Sequence, residues 1–224
     1  MNARAILLPL ALAVAPLAAL AGTLSVASAD LEPYRAFARS PEGARLLVTA
    51  RRAMEGYWGP GPAAEDTSDL AWPADPVGVY VSLVGAQGTR ACVGSAVPYR
   101  GGLSETVRDL ALEALRSDPR RAPIRRDELA RLRLVIAFAG PGEAVADPMT
   151  VDPGREGLLI TGEGGSMALL PGEARTISWA LREARRVGIL GGPDGSATYR
   201  RFPVVVLAEP SPVPPLQEDP DGPP

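Results

Sequence analysis

The sequence contains no histidine and no lysine, and it has one cysteine; all 23 of its basic residues are arginine. Without histidine there is no Ser-His-Asp or Cys-His catalysis and no imidazole-ligated metal site. Without lysine there is no Ser-Lys dyad, no Schiff base and no P-loop lysine. One cysteine can form neither an internal disulfide nor a thiolate zinc site. The formal net charge of −3 leaves no basic footprint for nucleic acid. Aromatic residues make up only 5% of the chain.

What is present is the composition of a globular protein. Of 224 residues, 46% are hydrophobic and 22% charged, enough apolar material for a sizeable core. Glycine and proline, 24 each, make the chain loop-rich but not of low complexity. Arg4 is the only charge before Asp30, and the run Ala5 to Ala29 ends in Ala27-Ser28-Ala29. That layout predicts a secretory signal over residues 1–29, cleaved near Ala29, and an exported mature protein; the alternative is an uncleaved N-terminal membrane anchor. A membrane is a partner only in the second case. From Glu209 onward the acidic, proline-rich sequence predicts a solvated tail over 209–224.

The segment between reads as α+β, residues 30–208 forming one domain. Ser40-Pro41-Glu42 starts a helix to about Tyr57, with Leu46, Leu47, Ala50 and Met54 on one face. Residues 58–74 read as a surface loop. Val77–Val84 and Thr89–Val97 form a hairpin across Gly85–Gly88. A helix capped by Ser104 buries Val107, Leu110, Ala111, Ala114 and Leu115, and ends before Asp118-Pro119. Asp127 caps a short turn ahead of a strand at Leu132–Phe138. A second hairpin spans Gly157–Thr161 and Ser166–Leu170. A helix follows over about Ala174–Val187 with Gly188 after its end, and Tyr199–Leu207 is a strand that Pro203 assigns to an edge or a bulge.

Gly78-Val79-Tyr80-Val81-Ser82-Leu83, followed by Thr89-Arg90-Ala91-Cys92-Val93-Gly94, resembles the "GVFVTL … LRGCIG" strands of the AMMECR-domain family, whose bacterial members are called AmmeMemoRadiSam system protein A. The similarity continues in order. Asp118-Pro119-Arg120 is similar to the family's "DPRF", and Pro123-Ile124 with Glu128-Leu129 to its "P(I/V)…EL". Gly154 and Gly157-Leu158-Leu159-Ile160 are similar to its "G.HGI.I", with Glu156 where a histidine is common. Leu169-Leu170-Pro171 matches "LLP" and Val187-Gly188-Ile189 "AGL". The resemblance covers about residues 42–210. It implies an AMMECR-like domain of antiparallel or mixed β-sheets and packed helices in two unequal lobes, with any chemistry near the "LRGCIG" strand.

The candidate site follows that strand. Arg90 and Cys92, two apart, are expected on one face, where the guanidinium would favour a thiolate. Without histidine the base would be a carboxylate, Glu105 or Glu156. Cys92 and Glu156 are therefore the candidate catalytic residues. Arg90, Gly94, Asp118 and Arg120 are candidate ligand contacts for a small anion or a protein. The bland readings are a cysteine packed in a strand, an Arg–Asp cluster tying a helix end to the sheet, and an exposed turn glutamate. No cofactor or metal is expected. Three functions stay open: a binding or accessory module, a thiol-dependent enzyme, and a relative that has kept the fold and lost the site.

Overall fold

One long strand organises the molecule. The structure, a computed structural model, describes residues 30–59, 67–118, 122–191 and 196–210. In chain order the elements are α1 (Glu32–Ala38), α2 (Pro41–Glu55), β1 (Gly78–Gly85), β2 (Gly88–Ser95), α3 (Leu103–Arg116), α4 (Arg126–Leu129), β3 (Arg133–Ala139), β4 (Glu143–Val145), β5 (Glu156–Gly162), β6 (Gly165–Leu169), α5 (Ile177–Arg186) and β7 (Thr198–Ala208). All strand pairs are antiparallel, in the order β2-β1-β3-β7-β5-β6, with β4 also on β7. The fold is α+β.

β7 serves two half-sheets. Thr198–Pro203 pairs with β5, while Val204–Ala208 pairs with β3. Among the described residues the curled sheet carries three apolar clusters. The largest lies between β1–β3 and α1–α4 and includes Tyr34, Leu46, Val81, Leu115, Ile136 and Phe138. A smaller one packs Leu158, Ile160 and Met167 under Ile177, Ala180 and Ala184 of α5. The third lies on the opposite face, between the two half-sheets, and holds Tyr80, Ala137, Ala139, Leu170 and Phe202. Two unequal lobes thus meet along an apolar seam.

Local sequence explains most elements. The Ser40 hydroxyl accepts from the Gly43 N–H at 3.2 Å and Pro41 occupies the first turn. Leu46, Leu47, Ala50 and Met54 are buried as expected. The apolar stripe of α3 is buried as well. Gly188 (φ +79°) ends α5.

Other expectations need correction. Gly102, not Ser104, is the N-cap of α3; Ser104 lies inside the first turn and donates its hydroxyl to the Thr67 carbonyl at 2.8 Å. Arg125, not Asp127, caps α4. Helix α5 starts at Ile177, because the Thr176 hydroxyl accepts from the Trp179 N–H and caps it there. Pro203 is not at an edge, but it does lie opposite a bulge-type irregularity, where residues 140–142 face only Phe202 and Pro203. It lies inside β7 where the neighbour changes from β4 to β3, so its missing N–H falls opposite the break, and its carbonyl accepts from Gly140. The stretch after Trp58 is not all surface: Leu70 is buried in the large core and Trp72 packs against it. Glu209 belongs to the domain rather than to a solvated tail. Its N–H donates to the Leu134 carbonyl, and its carboxylate accepts from Leu134 N and Arg51 Nε, both at 2.8 Å. The expected signal and residues 211–224 of the expected tail lie outside the described residues. Among those residues, no helix is long and apolar enough to cross a membrane.

Tyr34 makes a pH-dependent contribution. It is fully buried and donates to the Asp75 carbonyl at 2.9 Å. Burial, with the Asp75 charge second, pushes its phenol up to about 12. The neutral form is thus favoured by folding, so this stability is complete below the unfolded value of 10.0 and is lost as pH rises through about 12. The loss amounts to about 3 kcal/mol. The urea midpoint should fall steeply over that window, and Tyr34→Phe should flatten the fall; an unchanged slope in the variant would refute the assignment.

Candidate functional site

Cys92 lies on the seam face of β2, paired across the ladder with Ser82 of β1. It is half-buried, and it lines a cleft of about 650 Å³. One wall is β2 and its continuation, Cys92 to Val97. The other is Leu159 with Gly164 and Ser166 to Ala168 of the β5–β6 hairpin, and Val187 and Ile189 after α5. Tyr80 contributes to the lining, and Glu113 and Ser117 stand at the α3 end. Burial, with Cys92 next in effect, raises the Tyr80 phenol far above its ordinary range, so the hydroxyl stays protonated. The Tyr80 ring stacks on Phe202, centroids 6.1 Å apart. Ser82, opposite Cys92, is buried with a hydroxyl that has no hydrogen-bond partner among the described residues.

The expected Arg90–Cys92 face does not exist. Leu83 pairs with Ala91 and Val84 with Thr89, which leaves Arg90 as the extra residue of a β-bulge. The bulge breaks the two-residue alternation that put Arg90 beside the thiol. The guanidinium instead holds the Glu128 carboxylate through Nε and Nη2, and donates to the carbonyls of Ala122 at 3.0 Å and Pro123 at 3.4 Å. Those partners flank Ile124 and Leu129 of the large core, away from the seam. Arg90 therefore clamps the α3–α4 connection onto the edge of β2.

Asp118 is beside Cys92, in a backbone role. It is buried, and its Oδ2 accepts from the Cys92 N–H at 2.9 Å, capping one outward donor of an edge strand. Gly94 lines the cleft at φ +150°, and a Cβ there would lie 2.2 Å from the Val79 carbonyl oxygen and 2.6 Å from the Tyr80 Cα. Glycine is needed for that close approach of β2 to β1. Glu156 is not brought to the thiol. It begins β5 in phase with Leu158 and Ile160, whose side chains enter the small core behind the second half-sheet. Its carboxylate accepts from the Asp152 N–H at 3.1 Å and lies 3.8 Å from Arg201. Glu105 is exposed near Tyr99 and lines a different depression. Arg120 lies outside the described residues.

Several residues in and around the cleft carry no local sequence signal for their role. Glu173 accepts from the Thr89 hydroxyl at 2.9 Å with one oxygen and from the Leu170 N–H at 3.0 Å with the other. One carboxylate thereby ties the start of β2 to the end of β6. Leu159, Ser166 and Ala168 were recognisable as hairpin residues, but nothing local marks their seam-facing side as a cleft wall. Among the described residues no group of three or more acidic or cysteine side chains could hold a metal ion.

The AMMECR1 family model matches residues 47–189. A protein of Thermotoga maritima is 31% identical over 127 residues, spanning 55% of this chain and 73% of its own length. A protein of Thermococcus kodakarensis is 33% identical over 142 residues, 58% of this chain and 68% of its own. The crystal structure of an uncharacterised protein from Pyrococcus horikoshii superposes with a TM-score of 0.57 at 23% identity, covering 76% of this chain and 93% of that one, and shares the fold. On the extent of the family match, the order of its motifs and the shared architecture, the chain belongs to the AMMECR1 family.

Proposed function

We propose that the chain is an exported binding module whose cleft holds a segment of another protein. The observation that carries this reading is the make-up of the cleft. Its walls are two strand edges bearing small or uncharged residues, and Glu113 is the one charged side chain among the described lining residues. A small anion finds less support there, because Arg90 is already clamped to Glu128 on the other side of β2. A thiol-dependent enzyme finds support in the half-buried Cys92, but Glu156 and Glu105 do not stand beside it. The carboxylate nearest in the hydrogen-bond pattern, Asp118, accepts from its backbone. Export is supported by the uncharged run before Asp30 and its Ala27-Ser28-Ala29 end. It predicts a protein recovered outside the cytoplasm with Asp30 as its first residue; recovery of the intact N-terminus in the membrane fraction would favour the anchor instead.

The site itself is tested with a displayed library of random decapeptides panned on the purified protein. Retained peptides should slow maleimide labelling of Cys92 by about tenfold or more. Ala168→Trp, which fills the cleft, should abolish capture, while Cys92→Ala should leave it intact. Peptides that leave the labelling rate unchanged would refute a cleft site. Loss of capture in Cys92→Ala would return weight to the thiol reading.

A further inference from the structure

The sheet curls so that the strands at the two ends of its order line one cleft. Its two edges are β2 and β6. They are joined at one end by Glu173, which bonds Thr89 on β2 and the Leu170 N–H just after β6. Beyond that tether the edges border the cleft, with Cys92 and Gly94 on one side and Ser166 and Ala168 on the other.

Antiparallel alternation sets which main-chain groups face outward. The hairpin closes on the Gly162–Gly165 pair, so Gly165, Met167 and Leu169 bond to β5 and Ser166 and Ala168 point their N–H and C=O away from it. Leu170, next in that phase, has its N–H taken by Glu173. On β2 the outward N–H of Cys92 is taken by Asp118, and Gly94 follows in the same phase. Each edge is thus stopped by a carboxylate at one end, as proteins protect edges from unwanted pairing. The stretch left open on each strand is the one that lines the cleft. Side chains there are small: glycine, serine and alanine, over Leu159 and the Tyr80 ring.

We infer that the cleft binds an extended segment of another polypeptide by strand addition to β6, through the outward main-chain groups of Ser166 and Ala168. The added strand lies along β6 inside the cleft, with β2 forming the opposite wall. This rests on the reading of the cleft as a polypeptide site. Such pairing draws affinity from the main chain and selectivity from alternate side chains. The inward side chains must be small or β-branched and uncharged, to fit against Cys92, Ala168 and Leu159. Glu113 at the α3 rim favours an arginine or lysine at that end of the segment.

The experiment takes decapeptides from the display library that slow Cys92 labelling and N-methylates each residue in turn. Strand addition predicts affinity losses of about tenfold or more at every second residue, with intervening positions tolerant. Ala168→Pro removes one outward donor at an edge position that accommodates proline; it should cause a loss of the same size without changing the circular dichroism of the fold. Peptides that protect Cys92 yet show no two-residue period would overturn strand addition while leaving the cleft as a polypeptide site. A two-residue period that survives Ala168→Pro would overturn the assignment to β6. Failure to recover any peptide that protects Cys92 would overturn both readings. The N-methyl scan uses the unaltered protein, so the outcome does not depend on a variant that folds.

Discussion

Gly94→Ala should destabilise the protein by about 3 kcal/mol or more, read as a shift of the urea midpoint. Two costs add. At φ +150° a side chain strains the backbone by about 1–3 kcal/mol. The new methyl would also lie 2.2 Å from the Val79 carbonyl oxygen and 2.6 Å from the Tyr80 Cα. Overpacking of this kind costs a further ~1–3 kcal/mol. These neighbours are backbone atoms of β1, which is paired on both sides with β2 and β3, so they cannot swing aside as a side-chain tip would. Gly102→Ala is the control, because a Cβ there meets nothing within 4 Å and φ is −64°. Its effect should stay within about 1 kcal/mol. Equal effects from the two substitutions would show that β2 does not approach β1 as closely as described. Because Gly94 also lines the cleft, any relaxation that accommodates the methyl should alter peptide capture as well.

Phe138→Ala should cost about 3–5 kcal/mol, the range for truncating a fully buried phenylalanine. Phe138 is 0% exposed on β3, between Val79 and Val205 in the ladder. Its ring meets Tyr34 at 5.0 Å, tilted by 45°, and Phe37 edge-on at 6.1 Å. It is the point where α1 locks onto the sheet. With total stabilities of about 5–15 kcal/mol, this one truncation removes a large part of the folding free energy. Phe138→Leu keeps most of the volume and should cost well under half as much. A small effect from Phe138→Ala would mean that the site collapses around the cavity, and that α1 is held by something other than this aromatic cluster.

The periodic elements could be read from the chain because their signals are local. Val107, Leu110, Ala111, Ala114 and Leu115 fall on one helical face whatever lies opposite, and the glycine-rich turn between Thr161 and Ser166 closes a hairpin on its own chemistry. The short β4 and the seven-residue α1 leave no mark in the sequence because neither is long enough to show a period. Each is held by what it packs on or pairs with: α1 by the aromatic cluster around Phe138, and β4 by β7. Pro203 by itself left an edge and a bulge open, and the choice between them is tertiary. The break between β3 and β4 that makes its missing N–H harmless comes from residues distant in the chain.

The site divides along the same line. From residue types and order alone, the sequence determined the absence of histidine, lysine and disulfide chemistry, the α+β class, the family motifs, and the strand bearing Cys92 and Gly94. Tertiary structure alone decided which side chains share a space. A one-residue bulge turns Arg90 away from Cys92, because inserting a residue reverses the alternation on which the pairing of their faces depended. The curl of the sheet puts Glu156 behind the second half-sheet and brings β6, far along the chain, opposite β2. Side-chain period along a strand is a local property that a sequence displays; the meeting of two sheet edges depends on strand order and twist summed over the whole sheet, which no local pattern encodes.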